Sequence, residues 1–351
     1  MGLDQWVERL ERNYYSITNP QDISILLDFM REYPEPHKMD GHYPINDMYQ
    51  LSKIAFNISK DRTDPGIGSL NLKAYGNETV ILSNEQQLWV VELINHTMRK
   101  LKERKENWRP NDLNRFLHLN LRNTYMLNSL AHNTQNEKEI SVGFNKEAYR
   151  NISIVCEYGS KSQNGFIYML IKGRTAEIIS SKLSSLDERE SYDWLRRSII
   201  DRTDAITKYK DYIPKFDDET LQRYKGVFYN LALSTERMSE YSFLSIFDKK
   251  IILEESINYD MKIRGIMQRE RPVDAMLCNK HAGRKALKLF ELTQDQQYRN
   301  LAKANFQAFI NIYEDARNAH DKDQPHPIDF PRELRQHRKT YSKLKFLMKE
   351  L

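Results

Sequence analysis

Apolar residues recur at three- and four-residue intervals along most of the chain, a spacing that gathers them on one face of a helix. Leu3, Trp6, Val7 and Leu10 predict a first helix, and Asn19-Pro20 supplies a cap and a pre-set first position for a second carrying Ile23, Leu26, Leu27 and Met30. After a proline-bearing loop at 33–44, Met48, Leu51, Ala55 and Ile58 make a third face. Ser83 and Gln86 form a capping box ahead of a helix whose inward residues are Leu88, Val91, Ile94, Met98 and Leu101. Leu113, Phe116, Leu117, Leu121 and Leu127 predict another over 111–131. From 174 onward the pattern predicts helices near 174–186, 189–211, 217–240, 243–268, 272–292, 294–318 and 331–350.

Two stretches break the helical period. Leu70–Leu82, turning at Gly76-Asn77, and the pair Ile152–Tyr158 and Phe166–Lys172 are rich in β-formers around turn residues, and both predict short β-hairpins. The polar stretch Asn133–Glu139 lacks apolar periodicity and marks a boundary. The expected organisation is an N-terminal helical domain with a hairpin over 1–133 and a C-terminal helical domain led by a hairpin over 140–351. The expected fold class is mainly α: a multi-helix bundle, or a C-terminal part built like an α-solenoid, with one or two short β-hairpins. The 12 Gly and 11 Pro among 351 residues are few, which favours long helices over strands and turns.

The segments 272–292 and 294–318 are joined by Leu292-Thr293-Gln294-Asp295 and carry Leu287, Leu289, Phe290, Leu301, Ala304, Phe306 and Phe309 as packing residues, the mark of an αα-hairpin. Lys285 to Tyr313 resembles one unit of an α-solenoid or an (α/α) toroid. That resemblance implies stacked helix pairs and, for a glycan-active toroid, a cleft lined by acidic and aromatic residues.

The longest apolar run, Phe166–Ile171, is far short of the ~20 residues that cross a bilayer, so no membrane partner is expected. Asp4, Glu8, Arg9, Glu11 and Arg12 deny the first turns the apolar core of a secretory signal. Cys156 and Cys278 lie in apolar surroundings and neither belongs to a CxxC pair, which predicts reduced structural thiols and a cytoplasmic location. No phosphate-binding glycine loop, zinc-ligand cluster or nucleophile elbow is present in the sequence, and no cofactor is expected.

The net charge is only +5, but it is concentrated. Arg99, Lys100, Lys102, Arg104, Lys105, Arg109 and Arg115 face three acids, Glu103, Glu106 and Asp112. Arg332, Arg335, Arg338, Lys339, Lys343, Lys345 and Lys349 face Glu333 and Glu350. Such basic helices predict contacts to nucleic-acid phosphates, with Trp108, Phe116 and Tyr341 as residues for base stacking. The alternative is a non-catalytic helical scaffold for another protein, in which the same lysines and arginines serve solubility.

Two short patterns point to chemistry. Arg332-Glu-Leu-Arg-Gln-His337 fits Arg-x4-His and resembles the core motif of HEPN-type ribonucleases, with Glu333 where that family usually has Asn, Asp or His. The resemblance implies metal-independent RNA cleavage, Arg332 stabilising charge at phosphorus and His337 moving the proton of a 2′-hydroxyl. Leu231–Glu240 resembles the first arginine box of tyrosine recombinases, implying roles for Arg237 and Glu240, with His281-Ala-Gly-Arg284 as the second box. Glu236 stands where that family has glycine, and the interval between the boxes is short for its catalytic lysine hairpin. Asp217-Asp218-Glu219 is read as a helix cap rather than a metal site, and His320–His326 as a solvated loop.

Overall fold

The computed structural model describes residues 20–36, 44–60, 83–108, 110–158, 163–267, 271–322, 324–326, 328 and 333–351. Among them are twelve α-helices and no strand. In chain order they are α1 (Pro20–Glu32), α2 (Ile45–Lys60), α3 (Asn84–Glu103), α4 (Pro110–Asn133), α5 (Lys138–Tyr158) and α6 (Gln163–Leu183). There follow α7 (Glu188–Tyr209), α8 (Asp218–Met238), α9 (Ile246–Met267), α10 (Pro272–Thr293), α11 (Gln296–Asp321) and α12 (Arg338–Glu350). Within each part of the chain a helix packs chiefly on its sequence neighbours, a consecutive helical-repeat arrangement.

The hairpin expected at Ile152–Tyr158 and Phe166–Lys172 is absent: both runs are helical. Val142, Ala148, Ile152, Val155 and Cys156 fall on one buried face of α5. Phe166, Met169, Ala176, Ile179 and Leu183 are buried at helical spacing along α6. β-Branched residues are only mildly disfavoured in helices, and burial of a continuous face outweighs that preference. The first expected helix and the hairpin at Leu70–Leu82 lie outside the described residues.

The chain forms two compact units, one of residues 1–160 and 174–183, the other of 161–173 and 184–351. The polar stretch after Asn133 is a turn between α4 and α5 within the first unit. That unit is cored by Phe29, Leu51, Val90, Leu93, Ile94, Leu119 and Leu130, with the Trp89 indole donating to the Tyr33 carbonyl at 2.7 Å. Its α3 begins with the predicted capping box: the Gln86 amide donates to Ser83 Oγ at 3.2 Å while the Ser83 amide donates to Gln86 Oε1 at 2.8 Å.

The second unit is cored by Leu253, Met276, Leu289, Phe306, Phe309 and Tyr313. Asp217 caps α8, accepting from the Thr220 amide at 2.8 Å, as the acidic triplet predicted. The α10–α11 hairpin closes through Gln294, whose φ of 59° is left-handed, and Asp295, which caps α11 by accepting from the Gln297 amide. Gly283 on α10 is required by close approach, since a Cβ there would lie 2.5 Å from the Phe306 ring.

Candidate anion-binding cleft on the last helix pair

Tyr313 and Tyr341 tie α11 to α12, their rings stacked at 4.4 Å and 14°. The Tyr341 hydroxyl donates to Glu314 at 2.5 Å, and Lys345 reaches the same carboxylate at 2.8 Å. The lysine first and the tyrosine second hold the Glu314 carboxyl below the usual carboxylate range. Leu344 and Leu334 complete the packing of this corner of the second unit.

Beside that stack opens a cleft of about 470 Å³ whose polar lining is Arg317, His320, Asp321, Arg335, Arg338 and Ser342. Arg317 also lies over the Tyr341 ring at 5.9 Å. Their convergence follows from helical spacing. Arg317 and His320 stand four and seven residues beyond the buried Tyr313, and Arg338 stands three before the buried Tyr341, so each shares its core residue's side of the helix. Among the described residues, Arg317, Arg335 and Arg338 have no carboxylate ion-pair partner. Lys339, Lys343 and the exposed Phe346 continue the outer face of α12. Three guanidiniums against one carboxylate leave the lining of the cleft net positive, and the planar fork of arginine is the geometry that matches phosphate oxygens.

Two of the sequence-predicted residues, Arg335 and Arg338, therefore line one cleft. Arg317 was hidden in what reads as an ordinary amphipathic helix, and His320, expected to open a solvated loop, instead belongs to the last turn of α11; the signal was their offset from Tyr313. Of the proposed ribonuclease pair, Arg332 lies outside the described residues. His337 ends a short 3-10 turn, Arg335–His337, and burial followed by Lys280 on α10 lowers its pKa. It is not among the residues lining the cleft.

The first basic segment is more self-neutralised. Arg99 donates to His96 Nδ1 at 2.7 Å, Lys100 pairs with Glu103 at 3.8 Å, and Arg115 pairs with Asp112 at 3.3 Å. Lys102 lies over the Phe116 ring. Arg104 and Lys105 are exposed, while Arg109 lies outside the described residues. The rings expected to stack on bases are engaged instead: Phe116 and Tyr341 are buried, and the Trp108 indole donates to the Leu101 carbonyl at 2.7 Å.

Two other polar clusters are structural. In the second unit, buried Lys285 on α10 donates to Asp260 on α9 at 2.7 Å, with the Ala232 carbonyl at 3.4 Å and Glu236 on α8 at 3.8 Å. Arg284 contacts both oxygens of Glu236, at 2.7 and 2.9 Å, and Glu240 pairs with Lys288. Glu236, Glu240 and Arg284 of the segments resembling recombinase boxes thus help tie α8 to α10, and Lys285 adds α9. Cys278 beside them is pushed up to about 12 by burial, the opposite of a reactive thiol. In the first unit, Lys182 donates to the Ala131 carbonyl at 2.9 Å, to Asn145 at 2.8 Å and to Ser141, and burial pushes its pKa down to about 8. Ser141 is fully buried, so this lysine and hydroxyl present no nucleophile to a substrate; the ammonium caps the end of α4.

No group of three or more His, Cys, Asp or Glu with metal-holding geometry occurs among the described residues. No described helix is long and apolar enough to cross a membrane.

No family model and no curated protein matches the chain. One solved structure similar to it is a circular tandem repeat protein with novel repeat topology and enhanced subunit contact surfaces, at 12% identity and a TM-score of 0.30 over 99% of this chain and 76% of that one. A likeness of that degree adds nothing to what the chain's own residues say.

Proposed function

We propose that the protein binds nucleic acid by its phosphate backbone, with the cleft between α11 and α12 as the primary contact and the exposed face of α12 as its extension. The observation that carries this reading is the convergence of Arg317, Arg335 and Arg338, without carboxylate partners among the described residues, around a single open cleft. Binding of this kind is sequence-tolerant and falls with salt as condensed counterions are released. Arg104 and Lys105 of the first unit, both exposed, supply weaker contacts.

The decisive measurement is fluorescence anisotropy with labelled single-stranded RNA and DNA at ~50 mM salt. The expected result is binding that Arg335→Glu with Arg338→Glu abolishes and Arg104→Glu with Lys105→Glu only weakens. Absence of binding by the unaltered protein ends the proposal. RNA cleavage lost in a folded His337→Ala variant would add the ribonuclease activity to it.

A protein-interaction scaffold is the second reading. It is favoured by Phe243, Ile246, Phe247 and Ile251 between α8 and the first turns of α9, which are left exposed, Phe247 by 69%. Single exposed apolar residues are ordinary, but four within nine consecutive positions are a concentration that solubility does not call for.

A further inference from the structure

Ser342 is the one hydroxyl among the residues lining the arginine cleft apart from the tyrosines. It is exposed on the second turn of α12 and makes no hydrogen bond among the described residues. Arg338 lies four residues before it and Arg335 seven, so one turn and two turns back along the same face of the chain. Arg317 enters from α11 across the cleft. The local sequence Arg338-Lys-Thr-Tyr-Ser342 puts cations three and four residues ahead of the hydroxyl, the side on which basophilic serine kinases read their substrates by charge. The helix that carries Ser342 is anchored by Tyr341 and Leu344, with Leu347, Met348 and Leu351 packed on the same core, and Ser342 stands on its exposed side.

We propose that Ser342 is a phosphoacceptor whose phosphate docks among Arg317, Arg335 and Arg338 and occupies the cleft in place of an external polyanion. The competition rests on the nucleic-acid reading above; the docking does not. In the transfer the Ser342 Oγ forms a bond to the γ-phosphorus of ATP, the bond from that phosphorus to the bridging oxygen breaks, ADP leaves, and the hydroxyl proton passes to the kinase base. A dianion with three strong acceptor oxygens then faces guanidiniums that make no carboxylate ion pair among the described residues. Asp321 is the one carboxylate among the lining residues and opposes this docking. Three cations outweigh it. Glu314, nearby, is already engaged by Lys345 and Tyr341.

The test has three arms. Incubation with ATP and a basophilic serine kinase, followed by peptide mass mapping, should place phosphate on Ser342; modification confined to other residues overturns the acceptor assignment. With phosphoserine encoded at 342, the second phosphate pKa followed by phosphorus NMR should lie below its ordinary value of about 6 and return to it in the Arg335→Gln, Arg338→Gln background. An ordinary value in the unaltered background overturns docking, whether or not the protein binds nucleic acid. Anisotropy with a single-stranded oligonucleotide should show affinity reduced about tenfold or more by the phosphoserine relative to the unmodified protein. Equal affinities, with the phosphate docked, overturn the competition, whereas no binding by the unmodified protein overturns the parent reading of the cleft.

Discussion

Lys285 Nζ lies 2.7 Å from the Asp260 carboxylate with side chains only 1% and 2% exposed, so two opposite charges share the interior of the second unit. Removing one of them strands the other. Lys285→Met is expected to cost about 3–5 kcal/mol, and adding Asp260→Leu to restore most of it, because an apolar pair of similar volume carries no desolvation cost. Urea unfolding of the two single variants and the double variant measures the coupling. Additive losses would mean that the pair does not interact energetically.

The same network makes stability depend on pH in two opposing ways. Burial first, then Lys280, Arg284 and Lys285, push His281 down to about 4. The unfolded chain takes that proton near 6.5, so the contribution of neutral His281 is present above ~6.5 and lost as pH falls toward 4. Burial pushes Asp260 up to about 6, partly offset by Lys285. Its contribution is present below ~3.9 and lost as pH rises through 6. His281→Gln should therefore gain stability relative to the unaltered protein as thermal melts move from pH 7 to pH 4. A constant offset across that range would remove His281 from the account.

Gly283 and Gly226 both occupy helix interiors and should respond oppositely to the same change. A Cβ at Gly283 meets Phe306, itself 2% exposed and locked in the core, whereas one at Gly226 on α8 meets nothing within 4 Å. Gly283→Ala is expected to destabilise by roughly 1–3 kcal/mol through overpacking, and Gly226→Ala to stabilise by roughly 0.5–1 kcal/mol through helix propensity. Paired calorimetric melts decide it.

Salt titration separates phosphate contacts from other modes of binding. For single strands each lost contact should shrink the log–log slope of affinity against salt by about 0.7, so Arg317→Gln, Arg335→Gln and Arg338→Gln should act in equal steps. A slope indifferent to all three would place the polyanion elsewhere.

Helical periodicity made most of the fold legible in the sequence. The Ser83 and Asp217 caps and the Gln294-Asp295 turn were readable because each depends on side chains within three residues of the backbone groups they satisfy. Ile152–Tyr158 and Phe166–Lys172 misled because local β-preference was weighed without the neighbouring helix faces that bury them. For the cleft, Arg335 and Arg338 were visible as part of a charge run. Arg317 was not, since nothing local to it announces that α12 will pack across the turn. The Lys285–Asp260 pair joins positions 25 residues apart, and a lysine within an apolar stripe carries no mark of its partner.

The stack of Tyr313 on Tyr341 is both the glue of the last helix pair and the protractor of its charges. Because Arg317 and His320 ride the same side of α11 as Tyr298, Phe306, Phe309 and Tyr313, the angle at which they enter the cleft is dictated from inside. Any redesign of that interior re-aims the guanidiniums without touching them, so affinity for an anion at the surface becomes a readout of how the hydrophobic seam beneath it is assembled.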